Sequence, residues 1–176
     1  MSDLRVEVLI EATPEQVWDE VRHIDRHTEW MHDAVEITFV SDQRSGIGTT
    51  FDTLTRVGPL KTMDRMEITE WVDGEVMGVR HTGAVTGTGR FTLTPEGSST
   101  RFVWEEDLEF PWFFGGPIGE KIGSPILGAI WRRNINILKG IIETGERPSD
   151  DDPGLLAKVT APVTGAIGSL REKLGR

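Results

Sequence analysis

The hydrophobic pattern of this chain changes its period along the sequence, and this change restricts the fold more than any single motif. Residues 4–12 alternate, with Val6, Val8 and Ile10 on one side. Alternation returns in separate segments between residues 34 and 110, and apolar residues then recur at helical spacing from 125 to 143. Strand and helix periods select different backbones, so the chain must combine an antiparallel meander with a terminal helix.

Turn residues divide the alternating region, and cap residues mark the helices. We predict strands at about 34–41, 48–56, 61–72, 75–82, 85–94 and 100–110, with the strongest hairpin signal at Asp73-Gly74. Thr13-Pro14-Glu15-Gln16 predicts a capping box that begins a short helix at Pro14. The polar stretch 23–34 predicts a second short helix. Ser124 and Pro125 predict the start of the long helix, after a break or kink that follows a shorter one.

Length and composition exclude several classes of protein. A chain of 176 residues fits one domain with a core and room for a cavity. Its net charge of -10 argues against nucleic acid as a partner, since phosphate binding relies on Lys and Arg. The absence of cysteine excludes disulfides, thiolate catalysis and Zn–Cys sites. No apolar run is long enough for a membrane span and the N-terminus does not resemble a signal peptide, so we expect a cytoplasmic protein.

The C-terminal part differs in composition from the rest. The acidic stretch ERPSDDDPG reads as a linker, so we predict a domain over residues 1–145 and a linker and weakly amphipathic tail over 146–176. Apolar residues recur in the tail at spacings of three or four, although Pro162 disfavours an isolated helix. The tail either frays or docks on its own domain, or it makes a weak membrane or protein contact through residues 155–176.

Polar residues where the pattern expects apolar ones are the candidates for chemistry. Alternation in the last strand places Glu106 inward with Trp104 and Leu108, unless a bulge or strand end turns it outward. On the strand 75–82, His81 or Arg80 must face inward, and pairing with the neighbouring apolar residues favours His81. Together, Glu106 and His81 would supply the acid and base for an enolisation or dehydration.

The apolar face of the terminal helix contains one amide. Asn134 lies in the middle of the buried arc of the helical wheel, so it needs a backbone or water partner, or a ligand carbonyl or hydroxyl. The side chains expected to face the interior, as core or as a ligand-binding wall, are Trp30, Phe39, Phe51, Met66, Phe91, Trp104, Trp131 and Leu138.

Other motifs point to no cofactor and no metal. His23, His27 and His32 are expected to be ordinary surface residues near the mouth of a cavity rather than metal ligands. Gly87-Thr88-Gly89 precedes a strand instead of a helix N-terminus, so it favours sheet curvature over phosphate binding. No nucleophile motif of the GxSxG type is present.

Several stretches within residues 4–143 follow each other in a recognisable order: IEATPEQVWDEV, DRHTEW, Gly46-Ile47-Gly48, GTGRFTLTPEGSSTRFVWEEDLE and the final apolar helix. In this order they resemble the START-like (SRPBCC) superfamily, in particular its polyketide cyclase/dehydrase-like branch. The resemblance implies an α+β helix-grip fold, in which a seven-stranded bent antiparallel sheet wraps around a long C-terminal helix, with two short helices after strand 1. It also implies an elongated apolar cavity.

The resemblance leaves three hypotheses, because members of this superfamily share a shape and differ in role. The first is binding or transport of a small hydrophobic ligand, such as a lipid, a fatty acyl chain or an aromatic polyketide. The second is a cyclase or dehydratase that uses Glu106 and His81. The third is an interaction module that acts through the tail. We favour the first, which requires no catalytic set.

Overall fold

The computed structural model describes residues 2–58, 60–109 and 116–147, with residues 2–3 and 116–124 described by their backbone alone. Phe110, the side chains of Ile118 and Ile122, and the predicted tail contacts of residues 155–176 lie outside the described residues. The elements are β1 (Ser2–Ile10), α1 (Pro14–Val21), a 3₁₀ helix (Ile24–Glu29), β2 (Ala34–Phe39), β3 (Thr50–Val57), β4 (Leu60–Val72), β5 (Val76–Thr82), β6 (Thr86–Glu96), β7 (Ser99–Glu109) and α2 (Gly116–Thr144).

The strands form one antiparallel sheet in the order β1-β7-β6-β5-β4-β3-β2. Strands β2 to β7 follow each other as a meander, and β1 joins the sheet by pairing with β7 from Ser2↔Leu108 to Ile10↔Thr100. Irregular register between Ala34 and Glu36 and between Ile68 and Glu70 marks bulges, which bend the strands that contain them. The curled sheet, the two short helices after β1 and the C-terminal helix confirm the predicted helix-grip fold.

Helix α1 starts as the sequence predicts. The Thr13 hydroxyl accepts a hydrogen bond from the Gln16 backbone N–H, and the Gln16 side chain accepts one from the Thr13 N–H, which completes the capping box. Trp18 of this helix and Trp71 of β4 both donate their indole N–H to one carboxylate oxygen of Asp73, at 3.1 and 2.8 Å. The hairpin turn predicted at Asp73 therefore also holds α1 against the sheet.

Helix α2 is continuous, and the prediction that it begins at Pro125 with Ser124 as its cap is wrong. It runs for 29 residues with Pro125 inside it. A proline within a helix removes one backbone hydrogen bond, and the remaining backbone of this long helix continues through it. The helix stops at Gly145, which has a φ of 73° and donates its N–H to the Ile141 carbonyl.

Polar contacts fasten the second half of α2 to the first strand. The Lys139 ammonium donates to the Leu9 carbonyl at 2.7 Å, and the Glu143 carboxylate accepts from the Glu11 N–H at 2.6 Å. The apolar side of the same helix faces the sheet, where Ile135, Leu138 and Ile141 are buried. The position of α2 is thus set by burial on one side and by backbone partners on the other.

The core is organised around a group of large rings that we call the aromatic cluster: Trp30, Phe91, Phe102, Trp104 and Trp131. The ring of Trp30 lies 6.0–6.5 Å from those of Phe91, Phe102 and Trp104, and Trp104 stacks on Trp131 at 4.9 Å with an angle of 22°. All five are buried. The cluster joins the 3₁₀ segment, the sheet and α2 into one packed body.

His27 is part of this core, which contradicts the prediction of a surface position. The 3₁₀ helix has three residues per turn, so Ile24, His27 and Trp30 fall on one face and are buried together. The ring of His27 contacts Trp30, and its Nε2 lies 2.7 Å from the Val21 carbonyl, to which it donates as the neutral tautomer. Burial lowers the pKa of His27 to about 4 from 6.5.

We predict that His27 makes the protein less stable in acid. Above pH 6.5 its effect is absent, whereas between pH 6.5 and about 4 the unfolded chain binds a proton that the folded chain excludes. The free energy of unfolding, measured by urea titration, should therefore fall by up to about 3 kcal/mol across this window relative to His27→Gln. His23→Gln, in the same segment, should keep the wild-type profile. Parallel profiles for wild type and His27→Gln would contradict the prediction.

Candidate functional site

The inner face of the sheet has a packed part, whose side chains are fully buried, and a part whose side chains are only partly buried, which we call the open part. In the packed part, Phe91 on β6 is paired with Met77 on β5 and with Trp104 on β7, and all three are buried. In the open part, Met66 and Val79 point the same way but remain partly exposed. Inward-facing apolar side chains that are incompletely covered form a surface on which a hydrophobic molecule can be buried.

Two ionisable side chains meet at the border between these parts. Glu106 on β7 and His81 on β5 are separated by β6, yet Glu106 Oε2 lies 3.2 Å from His81 Nε2. Their side chains are only 7% and 9% exposed. Arg80, the alternative inward residue, instead pairs with Glu67 on the exposed face. The structure therefore places both sequence candidates inside, next to each other.

The contact between Glu106 and His81 depends on a residue without a side chain. Gly89 lies between them on β6, in register with Glu106. A Cβ atom at Gly89 would be 2.5 Å from Glu106 Oε1, closer than real contacts allow. The Glu106 carboxylate crosses β6 over this glycine. Gly89 of the Gly87-Thr88-Gly89 motif therefore leaves the space through which the carboxylate reaches His81.

The charges of the pair reinforce each other. Burial lowers the pKa of His81, but the adjacent Glu106 carboxylate, helped by Asp64, more than offsets this and the pKa ends above its usual 6.5. Trp104 donates its indole N–H to Glu106 Oε1 at 2.8 Å, which fixes the carboxylate. Neither Glu106 Oε2 nor His81 Nε2 has an aligned hydrogen bond, although they are close enough to attract. The two atoms are thus partners through their charges, without an aligned hydrogen bond between them.

Asp64 adds a further buried carboxylate, which sequence reasoning missed. It is 3% exposed, and its Oδ1 accepts a hydrogen bond from the Val85 N–H at 2.9 Å, which fixes the turn between β5 and β6. Alternation along β4 already places Asp64 on the same side as Met66 and Ile68, so a signal existed in the sequence. Its negative charge favours the protonated form of His81.

Asn134 connects α2 to the segment before β2. It is fully buried, and its Nδ2 donates to Asp33 Oδ1 at 2.6 Å while its Oδ1 accepts from the His32 N–H at 3.3 Å. Burial raises the pKa of Asp33, and the hydrogen bond from Asn134 offsets only part of that effect. Both partners of the buried amide come from the protein. Asp33 lies in an irregular segment, so no periodic pattern in the sequence marks it as a candidate.

The remaining sequence candidates divide between the two parts of the inner face. Trp30, Phe91, Trp104, Trp131 and Leu138 are buried in the packed part. Phe51 pairs with Phe39 and with Met66, beside His81, toward the open part. The second group therefore lies in a row on one side of His81, with Phe51 itself buried, whereas Trp104 of the first group contacts Glu106.

Other sites in the described residues are less suited to chemistry. A shallow depression on the outer face is lined by Glu36, Thr38, Asp52, Leu54 and Met63. In the ranges 2–58, 60–109 and 116–147, no group of His, Asp and Glu is arranged to hold a metal ion. No helix within those ranges has the combined length and hydrophobicity of a membrane span.

This combination of fold and inner site agrees with a family match. The chain belongs to the family described as polyketide cyclase/dehydrase and lipid transport, which matches residues 1–143. No curated protein matches the chain in sequence.

Solved structures with similar folds come from several bacteria. A protein of Thermus thermophilus has a TM-score of 0.70 and 19% identity, covering 82% of this chain and 99% of its own. The ZhuI aromatase/cyclase of a Streptomyces species has a TM-score of 0.66 and 12% identity, covering 81% and 93%. A START superfamily protein of Mycobacterium smegmatis has a TM-score of 0.65 and 14% identity, covering 82% and 99%. Identities this low support the shared fold alone.

We predict that Gly89→Ala destabilises the protein through Glu106. The new Cβ would displace the carboxylate, and we expect the free energy of unfolding to fall by about 1–3 kcal/mol in urea titrations. In a chain that also carries Glu106→Ala, the cost of Gly89→Ala should shrink by at least about 1 kcal/mol. Gly140→Ala is the control, because a Cβ there meets no atom within 4 Å. Equal costs in both backgrounds would refute this account.

We also predict that Asn134 stabilises the fold through Asp33. Asn134→Leu would leave the half-buried Asp33 carboxylate and the His32 N–H without this partner, which should lower the free energy of unfolding by about 2–4 kcal/mol. The matched control is Asn136→Leu on the same helix, where the side chain is exposed and bonds only the Arg132 carbonyl. Chemical denaturation of both variants tests the difference, and similar losses would rule it out.

Proposed function

We propose that the protein binds a small hydrophobic molecule, such as a lipid, a fatty acyl chain or an aromatic polyketide-like compound, on the open part of the inner face. The observation that carries this proposal is the pair of partly exposed inward residues, Met66 and Val79, beside the buried Glu106–His81 pair. Apolar side chains supply the binding energy, and the two polar groups orient the ligand. The family, which includes lipid transport, supports this reading.

Cyclisation or dehydration by the same two residues is a second candidate. The 3.2 Å approach of Glu106 and His81 favours it, since the two are positioned as a base and an acid. In such a step, the Glu106 carboxylate removes a proton from a carbon next to a carbonyl, and protonated His81 donates a proton to a departing hydroxyl, which leaves as water. The similar Streptomyces fold is named as an aromatase/cyclase, which supports this class.

We predict that filling the open part abolishes binding of a neutral hydrophobic dye. Met66→Trp should reduce the affinity for Nile red, followed by its fluorescence, by about tenfold or more, because the larger ring occupies the ligand surface. The control is Met63→Trp on the same strand, since Met63 is 56% exposed on the other face. Equal affinity in both variants, or no saturable binding to the wild type, would contradict the proposal.

Two experiments distinguish binding from catalysis: identification of any molecule that the purified protein retains, and an activity assay of Glu106→Gln. Native mass spectrometry of purified protein should reveal a retained hydrophobic molecule if the protein is a carrier. If it is a lyase, a poly-β-ketone analogue should be cyclised or dehydrated by the wild type and not by Glu106→Gln. The variant should keep its affinity for Nile red within about threefold, because the dye depends on the apolar surface.

A further inference from the structure

We propose that the inner site selects neutral hydrophobic ligands that present a hydroxyl group, namely an alcohol, a phenol or an enol, and rejects carboxylates such as free fatty acids. This inference rests on the proposed function, because it specifies the ligand of the same site. It follows from the Glu106–His81 charge pair, which has no aligned hydrogen bond, and from the charges around it.

The two atoms form a charge pair that a ligand can join from the side. Glu106 Oε2 and His81 Nε2 lie 3.2 Å apart without an aligned hydrogen bond, and both side chains are more than nine-tenths buried. An ionised carboxylate oxygen only accepts hydrogen bonds, whereas a protonated imidazole only donates them. A hydroxyl beside the pair, within reach of both atoms, donates its hydrogen to Oε2 and accepts the N–H of His81. A ligand carboxylate has no hydrogen to donate, so it would only compete with Glu106 for His81.

The charges nearby also disfavour an anion. Glu106 and Asp64 are buried carboxylates on the inner face, and Asp33 lies close enough for Glu106 to disfavour its charged form. Among the side chains that the structure describes as fully buried, none belongs to Lys or Arg, and the half-buried Arg133 of α2, which has one buried guanidinium nitrogen, is engaged in contacts of its own. His81 is already neutralised by Glu106. An added carboxylate would therefore meet like charges in a poorly solvated site, which is an effective way to reject a ligand.

The arginines next to this region face the opposite side of the sheet. Arg65, Arg80 and Arg90 pair with Asp52, Glu67 and Glu70 in contacts that are about half exposed. These cations are engaged on the outer face, so they do not supply a counter-charge to a ligand inside.

The acceptor is also held in a defined orientation. Trp104 donates to Oε1 of Glu106, and its ring is stacked on Trp131, so Oε2 is the oxygen left for a ligand. The Glu106 side chain also lies directly over Gly89, and this contact restrains it on the side of the sheet. An acceptor that is fixed in this way discriminates between ligands by hydrogen-bond geometry.

Three probes with one ring system test the inference: 2-naphthol, 2-naphthoate and naphthalene, each used to displace Nile red from the intact chain at neutral pH. We expect 2-naphthol to displace the dye at a concentration at least about tenfold lower than 2-naphthoate. Glu106→Gln should bring the two probes within about threefold of each other. Glu105→Gln on the same strand makes the same charge change on the exposed face and should keep the wild-type ratio.

Gly89→Ala provides a second variant, because it displaces the carboxylate without removing its charge, and it should also reduce the preference for 2-naphthol. Equal displacement by all three probes, or stronger displacement by 2-naphthoate, would overturn this inference while leaving hydrophobic binding intact. A wild type that binds no Nile red would overturn the proposed function and this inference together. If Glu105→Gln also loses the preference for 2-naphthol, the preference depends on the net charge of the protein and not on Glu106, and the inference is overturned.

Discussion

The need to give partners to carboxylates that are buried or half-buried governs the interior of this protein. Glu106 receives the indole N–H of Trp104 and lies against His81, and Asp33 receives the amide of Asn134. An unpartnered buried charge would cost several kcal/mol, so these contacts fix side chains from distant parts of the chain. Trp104 also stacks on Trp131, which lies on α2 as Asn134 does. The Glu106 carboxylate on the sheet and the contact between Asn134 and Asp33 therefore belong to one packed unit.

Glycine makes long-range pairing possible on both faces of the sheet. Inside, Glu106 crosses β6 over Gly89 to reach His81. Outside, Arg90 on β6 reaches Glu70 on β4 across β5, where a Cβ at Gly78 would lie 2.8 Å from the Glu70 Cβ. The outer pair is about 45% exposed and contributes little to stability, whereas the inner pair is buried and sets the chemistry of the site.

Fully buried and partly buried side chains are separated along the inner face. The aromatic cluster packs between α2 and the β6–β7 part of the sheet. Met66 and Val79, further along the face, remain partly exposed. The ionisable pair lies where the two regions meet. A ligand in the open part would therefore place its polar group against a rigid wall.

The sequence by itself determined the strands, the capping box, the sheet with its terminal helix, and the inward direction of Glu106 and His81, because each follows from local periodicity or capping. Tertiary structure decided what periodicity does not encode. The burial of His27 depends on a 3₁₀ turn, and the role of Asp33 on a helix a hundred residues away. The meeting of Glu106 with His81 requires a strand between them that lacks a side chain at one position, and such a contact exists only once the strands are paired.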